Sequence, residues 1–147
     1  MIQIRKARAS DAEAAIDTLR RSISKLCVAD HEDDAEEIKA WLSNKTLATW
    51  AKWIARADVT VMVAIRHQTV VGVGMVSFQG EIMLNYVHPD ARFSGVSKAM
   101  LVAMEEKLRS LNVTYCQLES TTTAQNFYAS CGFQREETNS SIMSKVL

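Results

Sequence analysis

The 147 residues make one domain, residues 1–147, long enough to bury a core without disulfide or metal staples. Hydrophobic residues are 48% of the chain and charged residues 23%, a balance that excludes an extended disordered chain. Seventeen basic residues offset seventeen acidic ones, so no net positive charge draws the chain onto a nucleic-acid backbone, and no run of about 18 apolar residues is present to cross a membrane.

Residues 2–6 alternate apolar and charged side chains, as a short edge strand does. Ser10 precedes Glu13 at capping-box spacing, and Asp11 adds charge suited to a helix start. Ile16, Leu19, Ile23 and Leu26 follow at helical steps and predict one buried stripe. The acidic run at 30–34 opens a second helix through Glu36, Glu37, Ile38, Trp41 and Leu42. Such charge is a solvated helix start favoured by the helix dipole, or else an acidic mouth for a cationic amine. Ser43, Asn44 and Lys45 break this helix, and residues 46–56 resume helical spacing through Leu47, Trp50, Ala51 and Ile54.

From residue 59 the texture becomes β-branched. Residues 59–65 and 70–78 predict an antiparallel hairpin turning at His67 and Gln68. Gly72 and Gly74 within its second strand point to a close backbone approach or a bulge. After a turn at Gly80 and Glu81, residues 82–87 form a third strand that Pro89 ends. Residues 95–110 predict a helix with Val96, Met100, Leu101, Met104 and Leu108 on one face. A strand at 113–118, a short helix at 123–130 closed by Gly132, and strands at 133–137 and 142–146 complete the chain. The order is β-α-α-α-β-β-β-α-β-α-β-β, a mixed α/β fold whose later strand-helix-strand unit is expected to be parallel and right-handed.

The three cysteines, Cys27, Cys116 and Cys131, are odd in number and far apart, and neither they nor His31, His67 and His88 show metal-ligand spacing. They read as thiols of a reducing compartment. With no apolar leader in the opening MIQIRKARAS, a soluble, cytoplasmic protein is expected. Of Trp41, Trp50 and Trp53, at least two are expected to pack in the core, the third being free to line a pocket.

Two segments carry chemistry. In the first, a strand ends at Val87-His88-Pro89, a loop follows, and a helix opens at Gly95. A helix start presents unpaired N–H groups and partial positive charge, which suit a diphosphate. Gly95 admits close approach, Ser97 is small, and Arg92 adds a charge. No Gly-Lys-Ser/Thr follows, so this is not a P-loop. The second segment runs Thr121-Thr122-Thr123-Ala124-Gln125-Asn126-Phe127-Tyr128-Ala129-Ser130-Cys131-Gly132-Phe133.

Together they resemble motifs A and B of the GNAT (GCN5-related N-acetyltransferase) superfamily. Arg92-Phe93-Ser94-Gly95-Val96-Ser97 stands where the family has Q/R-x-x-G-x-G/A, with Ser97 replacing Gly or Ala. Ala124, Tyr128, Gly132 and Phe133 fall in register with the second motif, while Thr121 stands where Asn is common. The resemblance implies a mostly antiparallel sheet with a parallel, splayed strand pair, residues 82–87 and 113–118, and flanking helices. It implies acetyl-CoA as co-substrate, its pantetheine arm in the splay. The groups expected to hold it are Tyr86, Val87, Arg92, Phe93, Ser94, Gly95, Val96, Ser97, Lys98, Asn126, Phe127 and Tyr128. A backbone N–H near Tyr86 or Val87 would face the thioester oxygen. Tyr128 would protonate the departing thiolate. The general base stays open among Glu81, Glu119, the acidic run and water. The activity implied is acetyl transfer to a primary amine of a small molecule. A protein lysine or N-terminal acetyltransferase, or a CoA-binding module without catalysis, fits the same motifs. No metal, nucleic acid or membrane is called for, and apolar C-terminal strands suit a homodimer.

Overall fold

A computed structural model describes residues 1–26, 35–138 and 140–147. The acidic run at 30–34, with His31 and Cys27, lies outside the described residues. The elements follow the order expected: β1 (Gln3–Lys6), α1 (Ala12–Leu26), α2 (Ala35–Leu42), α3 (Leu47–Ala55), β2 (Val59–Arg66), β3 (Thr69–Ser77), β4 (Ile82–Val87), α4 (Val96–Ser110), β5 (Tyr115–Glu119), α5 (Gln125–Ser130), β6 (Gln134–Arg135) and β7 (Ile142–Val146). Two expectations were too long. The strand at 133–137 contracts to the two residues of β6, and the short helix starts at Gln125 rather than 123.

Strands β1, β2, β3 and β4 form one antiparallel sheet in chain order, and β5, β7 and β6 form a second. The two sheets meet through a single parallel bridge between Glu81 and Gln117. Strands β2 and β3 are buried on both faces, which is why they read as nearly continuous apolar runs. Val61, Val63, Val73 and Met75 pack with Ala15, Ile16, Leu19 and Trp50. Met62, Ala64, Val71 and Val76 pack on the other face with Met100, Leu101, Met104 and Leu108 of α4. Gly72 permits the second contact. A Cβ there would come within 2.8 Å of the Val96 and Met100 side chains, so the glycine marks a close helix approach. Trp50 is buried at 1% exposure and donates its indole N–H to the Arg8 carbonyl at 3.1 Å, so it serves the core.

Helix α1 begins differently from its capping-box signature. Asp11, not Ser10, supplies the acceptor: the Arg8 N–H donates to Asp11 Oδ2 at 2.7 Å. Arg5 of β1 grips the same carboxylate with two hydrogen bonds of 2.8 Å. Both guanidinium–carboxylate bonds are charge-assisted, so Asp11 ties the helix start to β1. Asp11 is 8% exposed, and its bond to Arg5 holds its pKa below the ordinary carboxylate range against the opposing effect of burial. A carboxylate depressed in the folded state stabilises the fold above its unfolded pKa and loses that contribution as pH falls through the folded one. Asp11→Asn should therefore lower stability at neutral pH by about 1–3 kcal/mol. It should also flatten the loss of stability below about pH 4, where the unfolded carboxyl begins to take up its proton. Urea denaturation from pH 2 to 7 checks both; equal stability at pH 7 would show that the pair contributes nothing net.

Candidate functional site

Strands β4 and β5 touch at the Glu81–Gln117 bridge and then part, while the other edge of β5 stays paired with β7 along its whole length. A cleft of about 270 Å³ fills the gap, walled by β4 from Ile82 to Val87 on one side and by Leu118, Ala124, Phe127 and Tyr128 on the other. Arg92 and Ser97 line its far end. A second cleft of about 510 Å³ shares Leu84, Tyr86, Glu119 and Thr121 with the first and opens toward Trp41 and Lys45. The site is thus one slot reached from two sides.

Strand β4 is bulged. Its register against β3 shifts so that Met75 opposes Leu84 while Val76 opposes Ile82, leaving Met83 as the extra residue. The bulge puts both Met83 and Leu84 on the face packed by α1 and α3. At the other end, the His88 N–H donates to the Val71 carbonyl at 2.8 Å. Pairing alternates along an antiparallel ladder, so Tyr86 also bonds toward β3, and the main-chain groups of Asn85 and Val87 turn toward the cleft. Of the two amides expected near the thioester oxygen, Val87 faces the slot and Tyr86 does not. Tyr86 instead lines both clefts and meets Trp41 edge-to-face, ring centroids 6.4 Å apart.

The turn after Val87 is shaped by local bonds. The Asp90 N–H donates to His88 Nδ1 at 3.1 Å, a spacer's role for this histidine, and the Ser94 hydroxyl donates to the Ala91 carbonyl. Gly95 is the N-cap of α4 at φ +84°, a left-handed conformation that favours glycine, and no atom lies within 4 Å of where its Cβ would stand. The first intrahelical donor is Ala99, bonded to the Gly95 carbonyl at 3.0 Å. Among the described residues no protein acceptor meets the N–H groups of Val96, Ser97 or Lys98. Free donors, open space over Gly95 and a positive helix end are features that suit an anion. Arg92 stacks its guanidinium on Phe93, 4.6 Å from the ring centroid, and Phe93 is 92% exposed. Lys98 is exposed and does not line the cleft. Asn126 also lies outside it, on the solvent face of α5, whereas Phe127 and Tyr128 line it.

Tyr128 is held from several directions. Its ring meets Phe127 and Phe133 edge-to-face at 5.1 and 5.7 Å, and its hydroxyl accepts from Asn85 Nδ2 at 3.3 Å. Burial pushes the phenol pKa up, against the smaller opposing effect of Asn85, so the hydroxyl keeps its proton. With Oη accepting from Asn85, that proton is free to be donated elsewhere. Asn85 Oδ1 is itself buried with no partner among the described residues, an open acceptor beside the cleft. The end of α5 is fixed by Lys145, which donates to the Cys131 carbonyl at 2.9 Å and pairs with buried Glu105 of α4 at 2.8 Å. Of the two base candidates, exposed Glu119 lines both clefts and exposed Glu81 only the second.

Sequence reasoning missed Asn85 and Lys45. Asparagine is depleted in strands, so its place inside β4 was a usable signal. Lys45 reads as a helix breaker, yet the fold buries it. No group of three or more His, Cys, Asp and Glu side chains able to hold a metal occurs among the described residues, and no helix among them is long and apolar enough to cross a membrane.

The sequence profile described as acetyltransferase (GNAT) domain matches residues 27–142. No curated protein matches the chain in sequence. PaiA N-acetyltransferase from Thermoplasma acidophilum, crystallised with coenzyme A, superposes with TM-score 0.88 at 24% identity, covering 100% of this chain and 99% of its own. A GCN5-related N-acetyltransferase from Rhodopseudomonas palustris gives TM-score 0.88 at 21% identity over 99% and 95% of the two chains. The ribosomal-protein-S18-alanine N-acetyltransferase of Escherichia coli gives 0.72 at 16% identity over 99% and 94%. At these identities the superpositions show a shared fold. The profile match spans most of the chain, and by it this protein belongs to the GNAT acetyltransferase family.

Proposed function

We propose that this protein transfers an acetyl group from acetyl-CoA to a primary amine of a small molecule by direct attack. The observation that carries the reading is the slot between β4 and β5, which runs from free N–H groups at the start of α4 to the Tyr128 hydroxyl. Family membership supports acetyl transfer as the general chemistry, and likeness to a structure crystallised with coenzyme A supports the nucleotide. Trp41 and Tyr86 beside the second cleft offer apolar surface to the body of a small amine. The odd number and wide spacing of the cysteines suit a reducing compartment and support our assignment to the cytoplasm.

Bound acetyl-CoA supplies a thioester carbonyl and a thiolate leaving group. The chain supplies the rest. N–H groups of Val96, Ser97 and Lys98 take the diphosphate. The inward main-chain N–H groups of Asn85 and Val87 are donors for pantetheine amides and for the oxygen on which charge develops. Glu119, at the junction of the two clefts, is our choice to take a proton from the amine. Tyr128 holds a proton at Oη and hydrogen-bonds the departing sulfur with it.

Coenzyme A should raise the melting temperature, and an amine panel with acetyl-CoA should release free thiol; absence of coenzyme A binding would overturn the reading. In Tyr128→Phe, kcat should fall about a hundredfold, with coenzyme A affinity within about threefold of the parent by calorimetry. Glu119→Gln should lower kcat roughly a hundredfold and Glu81→Gln under about threefold, measured at saturating amine; the reverse order would transfer the base to Glu81. Gly95→Ala forces a Cβ into the left-handed region at a cost of about 1–2 kcal/mol. It should raise KM for acetyl-CoA by more than it lowers kcat, and an unchanged KM would remove the Gly95 turn from the diphosphate seat.

A further inference from the structure

Lys45 lies between α2 and α3 and is 5% exposed. Lysine is seldom buried this far without a carboxylate partner, because an unpaired ammonium loses its hydration. Here the ammonium donates to the Asn44 side-chain oxygen at 2.6 Å, a neutral acceptor, and no carboxylate of the described residues lies within ion-pair distance of it. Burial accordingly pushes its pKa down. The backbone at this point is pinned: the Lys45 N–H donates to the Leu42 carbonyl at 3.0 Å, and Arg20 of α1 donates to the carbonyls of both Leu42 and Lys45. The fold thus fixes the Lys45 main chain, and the Asn44 side chain holds its ammonium.

Lys45 lines the second cleft, the side from which the amine would come. Among the described residues, the charges on that cleft are arranged by wall. Glu81 and Glu119 stand on the strand side, at the start of β4 and the end of β5, and Lys45 stands on the helix side with Trp41. A molecule with an amine at one end and an anion at the other matches both walls. A polycation would meet a second, poorly solvated positive charge, which is repulsive at low dielectric.

We propose that the acceptor is an amino acid or similar aminocarboxylate, whose carboxylate binds Lys45 while its amine faces Glu119 and the slot. This rests on the acetyl-transfer reading above and names its substrate class. Lys45 acts in specificity and takes no part in the proton transfers.

The test uses amino acids paired with the amine that lacks the carboxylate: leucine with isoamylamine, phenylalanine with phenethylamine, ornithine with putrescine, lysine with cadaverine. Thiol release should favour the amino acid in at least one pair by about tenfold or more in kcat/KM, the scale of one charge-assisted hydrogen bond. That ratio should collapse in Lys45→Met and persist in Lys45→Arg, with thermal unfolding confirming that each variant is folded. Lys45→Gln replaces the methionine variant if the latter does not fold. A general packing role would lower both arms together and leave the ratio intact. A preference for the decarboxylated amine in every pair, or a ratio unmoved by removing the charge, overturns the proposal. Calorimetric binding of N-acetylated amino acids to the coenzyme A-loaded protein separates the two readings. If no amine releases thiol yet these acids bind in a Lys45-dependent way, acetyl transfer falls and carboxylate recognition stands. If amines turn over and the acids bind equally well to Lys45→Met, the reverse holds.

Discussion

The parting of β4 from β5 is the constraint on which the site depends. One bridge, Glu81 to Gln117, holds the two strands together, and beyond it β5 keeps only its β7 edge paired. Main-chain groups on the inner edge of β4 are left without ladder partners, a cost that a folded protein bears only where something else can satisfy them. The helices make this opening rigid. Helix α4 packs on the sheet through Met100, Met104 and Leu108, and it reaches β3 closely because position 72 carries no side chain. The first sheet is clamped from the opposite face by α1 and α3. Strand β4, packed from both faces, cannot slide toward β5 without unpacking a buried core.

A second set of contacts sets the opposite wall. Glu105 is 4% exposed on α4 and pairs with Lys145 of β7, which also ties down the last turn of α5. Arg109 reaches the same carboxylate at 3.5 Å. A buried carboxylate with two cations and a backbone carbonyl in one network gives α4, β7 and α5 a single relative placement. Tyr128 inherits its position from that network, opposite Asn85. Cys116 sits nearby, fully buried, and desolvation lifts its thiol to about 11, with the Glu105 charge adding to the effect. At neutral pH it is an uncharged packing group.

The two clefts divide the work by polarity. The slot toward α4 carries Arg92 and free amides, suited to an anion of high charge. The second cleft carries, among the described residues, carboxylates on the strands and one buried cation on the helix side. Glu119 belongs to both, at the one place where donor and acceptor would meet. Its carboxylate also accepts from the Ser141 hydroxyl at 3.4 Å, just ahead of β7.

The elements themselves were legible in the sequence because each has a local period. Ile16, Leu19 and Ile23 recur at helical spacing and are all buried, and the hairpin of β2 and β3 turns where His67 and Gln68 take positive φ. The turn from β4 into α4 was legible too, since a strand stop at Pro89 and a helix start at Gly95 are written within a few residues. What the sequence could not convey is relations between distant segments. Asn85 and Tyr128 are 43 residues apart and meet only because β4 and α5 face one slot. The bulge at Met83, which decides which amides of β4 look inward, arises from register against β3. Lys45 has the neighbours of a surface loop residue in sequence and becomes buried only when its connector is drawn against α1. Periodicity encodes which face of an element is apolar; the partner that covers it, and the polar groups that end up opposed across the gap, are decided by packing in three dimensions.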